Sequence, residues 1–210
     1  MSEHSDTKGL AVLVGAGPGD SGLISVAGAN WIRRADVIIY DRLVGPELLD
    51  LARPDAERIY VGKDVGRNEM PQERINAILV EKTRQGRLVV RLKGGDPLIF
   101  GRGGEEADAL LSAGLEYRIV PGITAAIAAG AFAGIPLTDR RLASSVAFVT
   151  GHEDPAKETS SLDWKALAGI DTLVLYMGVG NLAAMAERLI KAGKSPDTPA
   201  AVIEQATLSR

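Results

Sequence analysis

Short apolar runs alternate with longer stretches of helical periodicity along this chain. Leu10–Val14, Asp36–Tyr40, Arg58–Val61, Leu88–Leu92, Tyr117–Val120, Val146–Thr150, Thr172–Met177 and Ala201–Ile203 read as strands. Several are nearly continuous in apolar residues, as in strands covered on both faces. Between them, Ile75, Ile78 and Leu79 form one helical stripe. Leu182, Met185, Ala186, Leu189 and Ile190 form another at i, i+3, i+4, i+7 and i+8. Strands alternating with helices predict an α/β fold with a largely parallel sheet. Pro121-Gly122, where a strand gives way to an Ala-rich helix, is the expected boundary between an N-terminal α/β domain (9–121) and a C-terminal one (122–210). Residues 1–8 read as a disordered polar tail. The final strand and "EQATLSR" stop without a closing helix, so the C-terminal domain is expected to be incomplete.

Composition narrows the chemistry. With 46% hydrophobic and 24% charged residues, 210 residues suffice for a sizeable core. The net charge of -3 supplies no global field for nucleic acid, so an anionic ligand must be held by local basic groups. The chain has no cysteine, which excludes disulfides and thiol nucleophiles. "MSEHSDTK" lacks an apolar signal region, and the weakly polar stretch from Ile123 to Leu137 is too short to span a bilayer. A cytoplasmic protein without a membrane partner is expected. His4 lies in the tail, which leaves His152 as the sole histidine candidate, so no metal site is expected.

The glycine loops carry more. "VGAGPGD" follows a strand, where a dinucleotide fingerprint would sit, but Asp20 occupies the third glycine position and Pro18 removes a backbone donor. An NAD-dependent oxidoreductase domain is therefore the weaker alternative. In "RLKGGDPLIFGRGGEE", Gly94 and Gly95 permit close backbone approach, Asp96 supplies a carboxylate, and Ile99 and Phe100 an apolar wall. That set suits a ligand with a sugar, a cation and a flat ring. A plain turn entering a helix, with Glu105 and Glu106 in its first turn, fits equally well but leaves Arg102 unexplained. Asp41 and Lys63 follow strands, where ligands of α/β sheets collect, although position alone is explained more readily by a helix cap for Asp41 and a solvated charge for Lys63.

"VGAGPGD", "ADVIIYDRLV", "RLKGGDPLIFGRGGEE", "VPGITAAIAAGAFAGIPLT", "VTGH" and "LVLYMG" together resemble the tetrapyrrole methylase family, from Gly9 to about Thr207. Within it, "YDRLV" and "KGGDP" resemble the branch that methylates uroporphyrinogen III rather than the corrin-ring methylases. The resemblance implies two α/β domains with a cleft between them, usually in a homodimer. It implies S-adenosyl-L-methionine as methyl donor, leaving as S-adenosyl-L-homocysteine. The donor would be held by Pro18, Gly94, Gly95, Asp96, Ile99, Thr124, Ala125, Met177 and Ala206. Asp41 would accept a proton and Lys63 donate one, and Arg102, Glu105 and Arg42 would bind the tetrapyrrole. The implied reaction is methylation at positions 2 and 7 to give precorrin-2, for sirohaem or cobalamin synthesis. A methylase of a later corrin precursor and a donor-binding but inactive fragment are the alternatives. Asp139 and Asn68 stand where the family commonly has histidine. Beside a substrate with eight carboxylates, Asp139 needs neutralising by Arg140 or Arg141.

Overall fold

The computed structural model describes residues 9–62, 70–151 and 161–208. The chain divides into two compact units, one running to Ala125 and including the residues from Thr207, the other Ala126–Ala206.

In the first unit the elements alternate: β1 (Leu10–Gly15), α1 (Val26–Arg34), β2 (Val37–Tyr40), α2 (Pro46–Leu49), β3 (Glu57–Tyr60), α3 (Gln72–Arg84), β4 (Leu88–Lys93), α4 (Gly103–Ser112) and β5 (Glu116–Val120). The strands form one sheet in the order β3-β2-β4-β1-β5, with every pairing parallel. Both faces are covered, which is why the strands read as apolar runs. Val12, Val14, Ile38, Val90 and Leu92 pack with Ile32 of α1 and Leu48 of α2. On the other face Ala11, Leu13, Val37, Ile39 and Val89 pack with Ile75 and Leu79 of α3 and Leu110 of α4. Each fully buried leucine contributes about 2 kcal/mol by leaving water. Helix α1 starts where Ser25 Oγ accepts from Gly28 N–H at 3.0 Å, a cap worth about 1 kcal/mol.

The second unit carries most of α5 (Ala125–Ala133), then β6 (Val146–Thr150), α6 (Trp164–Ala168), β7 (Thr172–Tyr176) and α7 (Leu182–Lys191). Strands β6 and β7 pair in parallel. The Asp171 carboxylate ties their starts together, accepting from Ser144 N–H, Ser145 N–H and Ser145 Oγ–H at 2.8–3.0 Å. These bonds, the Ser145 hydroxyl first, hold its pKa below the ordinary value. In α7, Met185 and Leu189 are buried while Leu182 and Ile190 are exposed, so the inward stripe is narrower than its periodicity suggests.

Two strand expectations change. Strand β7 ends at Tyr176 because Met177 turns left-handed at φ 55°, which ends extended pairing. Ala201–Ile203 forms no strand: the segment is exposed and has no ladder partner among the described residues. Among those residues, too, no helix is long and apolar enough to cross a membrane.

Candidate active site

The strand order puts a topological switch point, where open α/β sheets form a crevice, at the carboxyl ends of β1 and β4. The connection from β1 leads to β2 on one side, while β4 leads across β1 to β5 on the other. Ligands of open α/β sheets bind where neighbouring connections diverge in this way. Three loops meet there with little side chain between them. Gly17 and Gly95 exchange backbone hydrogen bonds, Gly95 N–H to Gly17 O at 2.6 Å and Gly17 N–H to Gly95 O at 3.2 Å. A Cβ on Gly15 would lie 2.5 Å from Gly122 Cα, so the loops after β1 and β5 approach only because both positions are glycine. Gly95 itself sits at φ 66°, the left-handed region.

Asp96 fastens this arrangement. Its Oδ1 accepts from Leu98 N–H at 2.8 Å and its Oδ2 from Gly122 N–H at 3.0 Å. Both oxygens thus build the loop, and each retains a lone pair for a ligand. Thr124 is buried and Ala125 opens α5, while Ile99 lies part exposed beside the loop. Pro18 follows Gly17 in the first loop, and Asp20 N–H donates to Thr207 Oγ1 at 3.1 Å. The Asp20 side chain caps the 3-10 turn Ser21–Leu23, and α1 begins only at Val26. The glycine loop therefore does not feed a helix N-terminus, which removes the phosphate-binding geometry of a dinucleotide site.

Beyond Asp96 the backbone is strained. Phe100 and Arg102 adopt φ 51° and 56°, uncommon for residues with a Cβ and costing roughly 1–2 kcal/mol each. Arg102 forms a bidentate pair with Glu105, Nε and Nη2 each donating at 2.8 Å. The pair raises the Arg102 pKa and lowers that of Glu105, and both side chains are about half exposed.

A second charged group lies beneath the loops. Arg91 and Lys93 point from the central strand β4 towards α3 and α4, with side chains 3% and 5% exposed. Glu106 of α4 is fully buried between them. Its Oε1 accepts from Lys93 Nζ at 2.8 Å, Arg91 Nε at 3.1 Å and Gln72 Nε2 at 3.3 Å. Arg91 Nη1 donates to Leu92 O at 2.6 Å, and Nη2 reaches Asp41 Oδ2 at 3.0 Å. Asp41 follows β2, and its Oδ1 accepts from Leu43 N–H at 3.0 Å. Burial pushes the Lys93 ammonium below its usual pKa, with Arg91 adding to the effect and Glu106 opposing it.

The first unit thus gathers Pro18, Gly94, Gly95, Asp96, Ile99, Thr124 and Ala125 around the loops, with Asp41, Arg42, Arg102 and Glu105 on the same unit. Arg42 is exposed, next to Asp41. Met177 and Ala206 belong to the second unit. Lys63, Asn68 and His152 lie outside the described residues. Asp139 carries its own counter-charge: Arg141 Nε and Nη2 donate to its oxygens, each at 3.1 Å. No cluster of metal-ligating side chains occurs among the described residues. Sequence reasoning missed the buried group of Arg91, Lys93, Glu106 and Gln72. Its signal was two charges spaced i, i+2 on a strand otherwise apolar, which a strand covered on both faces must pair internally.

Residues 11–210 match the family model of tetrapyrrole (corrin/porphyrin) methylases. A relative from Methanosarcina barkeri, an S-adenosyl-L-methionine-dependent uroporphyrinogen III methyltransferase, is 52% identical over 97% of this chain and 80% of its own length. A siroheme synthase of Sodalis glossinidius is 54% identical over 96% of this chain, which spans only 42% of that relative. The crystal structure of a Thermus thermophilus uroporphyrin-III C-methyltransferase complexed with S-adenosyl homocysteine matches at 40% identity and TM-score 0.75, covering 90% of this chain and 74% of that one.

Proposed function

The chain belongs to the tetrapyrrole (corrin/porphyrin) methylases, and we propose that it transfers methyl groups from S-adenosyl-L-methionine to positions 2 and 7 of uroporphyrinogen III, yielding precorrin-2. The 52% identity to the Methanosarcina enzyme, across most of both chains, carries this reading. The likeness to a siroheme synthase supports a role in making sirohaem or another modified tetrapyrrole.

The residues present fit the donor. Backbone of Gly94 and Gly95, free of side chains, suits a close-lying ribose, the spare lone pairs of Asp96 suit hydroxyl and ammonium groups, and Ile99 offers an apolar wall. Pro18, Thr124 and Ala125 border the same loops, and Met177 and Ala206 complete the proposed set. When bound, the donor supplies an electrophilic methyl on a sulfonium. The chain's task is mainly alignment, because methylation of an electron-rich carbon needs no acid for the leaving thioether. A proton must afterwards leave the methylated ring system, and Asp41, 24% exposed with both oxygens oriented, is the proposed acceptor. Lys63 is the proposed donor of a proton to the tetrapyrrole as its double bonds rearrange, matched by a second proton lost from the ring system, so that each methyl transfer releases one proton net. Arg102 and Arg42 would receive substrate carboxylates, Arg102 by exchanging Glu105 for a ligand carboxylate in the same bidentate geometry, and Glu105 would then accept from ring N–H groups. A homodimer in the cytoplasm is the proposed state.

The test is anaerobic incubation of the chain with uroporphyrinogen III and labelled donor, read by mass. Gains of one and then two methyl groups are expected, with Asp41→Asn lowering turnover about 10²–10⁴-fold. Methylation of a later corrin precursor instead, or donor binding without transfer to any tetrapyrrole, would overturn the reading.

A further inference from the structure

The buried charges of β4 and α4 have no evident use in stability. A fully buried ion pair is often no better than apolar residues of the same volume, because desolvation cancels the attraction. Here Arg91, Lys93 and Glu106 are all withdrawn from water, and Glu106 Oε2 has no hydrogen-bond partner among the described residues. Such an arrangement costs stability, and what it supplies is fixed geometry. Within this group, Asp41 alone stands clear of the core, its side chain 24% exposed against 3% for Arg91.

The bonds run in one direction, from core to crevice. Lys93 and Gln72 fix Glu106 Oε1, and Glu106 fixes Arg91 at Nε. Leu92 O takes Nη1, so the guanidinium plane is set before Nη2 meets Asp41 Oδ2. The strand register makes this possible: Ile39 of β2 lies opposite Arg91, which brings Asp41, two residues further on, to the same face. With Leu43 N–H on Oδ1, the carboxylate is held at both oxygens. The cluster as a whole is balanced, Arg91 and Lys93 against Asp41 and Glu106.

We propose that Arg91 and Glu106 are positioning residues for the methyl-transfer reaction, fixing the Asp41 carboxylate at the floor of the crevice through one continuous chain of hydrogen bonds. This rests on the assignment of Asp41 as proton acceptor. Lysine at position 91 keeps the charge but has no fork, so it cannot hold Glu106, Leu92 O and Asp41 together.

The experiment is a double-mutant cycle in the full chain, Asp41→Asn, Arg91→Lys and both, assayed with uroporphyrinogen III and S-adenosylmethionine. Arg91→Lys is expected to lower kcat about 10–100-fold, the scale seen when an orienting partner is lost, with KM for both substrates within about threefold. Added to Asp41→Asn, it should cost less than about twofold more, since it acts through that carboxylate. Wild-type kcat in Arg91→Lys, or a full multiplicative loss in the double variant, overturns the positioning role while leaving Asp41 as base. Undiminished activity in Asp41→Asn overturns the base assignment itself, a distinct result. Should Arg91→Lys fail to fold, nitrogen NMR of the unaltered chain decides, with the signal assigned through Asp41→Asn. Resolved Nη protons on Arg91 are expected, and a freely rotating guanidinium would end the proposal.

Discussion

Glu105 turns to solvent and closes a bidentate pair with Arg102, both about half exposed, whereas Glu106, the next residue of α4, is fully buried between Arg91 and Lys93. The two carboxylates share a helix turn and a charge, and they differ in surroundings. In water an ion pair is worth about 0–1 kcal/mol, so Arg102 can leave Glu105 for a ligand carboxylate at little cost. In the core the same chemistry is rigid, because any partner that leaves strands a charge away from water. One ion pair at the start of α4 can change partners, the other cannot.

Glu106→Ala attacks the permanent side and carries the largest expected effect. It leaves Lys93 buried without an anion and Arg91 with Asp41 alone, and urea denaturation should show a loss of about 3–5 kcal/mol. A loss below about 1 kcal/mol would mean that water reaches these cations. Arg102→Gly tests the exchangeable side. It should raise KM for the tetrapyrrole about tenfold, equivalent to about 1.4 kcal/mol of binding. Stability should hold or rise, because the left-handed backbone at φ 56° favours glycine. An unchanged KM would remove Arg102 from substrate binding.

The smallest effect sharpens the contrast at a distance from the crevice. Glu57 pairs with Lys82 at 2.6 Å and Arg87 at 2.5 Å, and the Lys82 hydrogen bond leads in lowering its pKa from 4.5. A carboxylate depressed in the folded state stabilises above its unfolded pKa and loses that contribution as pH falls through the lower folded value. Glu57→Gln should therefore cost about 0.5 kcal/mol at pH 7, given its partial exposure, and nothing well below pH 4.5. Equal melting differences at both pH values would break the assignment.

Much of the fold was legible because covered parallel strands such as Leu10–Gly15 and Leu88–Lys93 leave nearly unbroken apolar runs. The same criterion misreads Ala201–Ile203, since three apolar residues form a strand only where a neighbouring ladder exists. The tight loop after β4 was legible from Gly94, Gly95 and Asp96, residue types that mark close backbone approach and local capping. Two things were hidden. Asp96 spends a bond from each oxygen on its own loop, which spacing cannot reveal. Arg91 and Lys93 sit on or just past a strand the sequence shows, but their pairing with Glu106 stays hidden until strand order puts β4 at the centre of the sheet, against α4.

The order β3-β2-β4-β1-β5 also governs when the first unit can assemble during synthesis. Strand β1 is made first, yet its partners are β4 and β5, so Leu10 must wait for Leu88 and Glu116. At about 5–20 residues per second, the nascent chain carries an unpaired apolar strand for roughly 5–20 s before its last neighbour exists. Completion comes later still at the first glycine loop, where Asp20 waits for Thr207. The residues of the first sheet are therefore all available before the second unit is made, whereas the contact on that loop must wait until the second unit has been added.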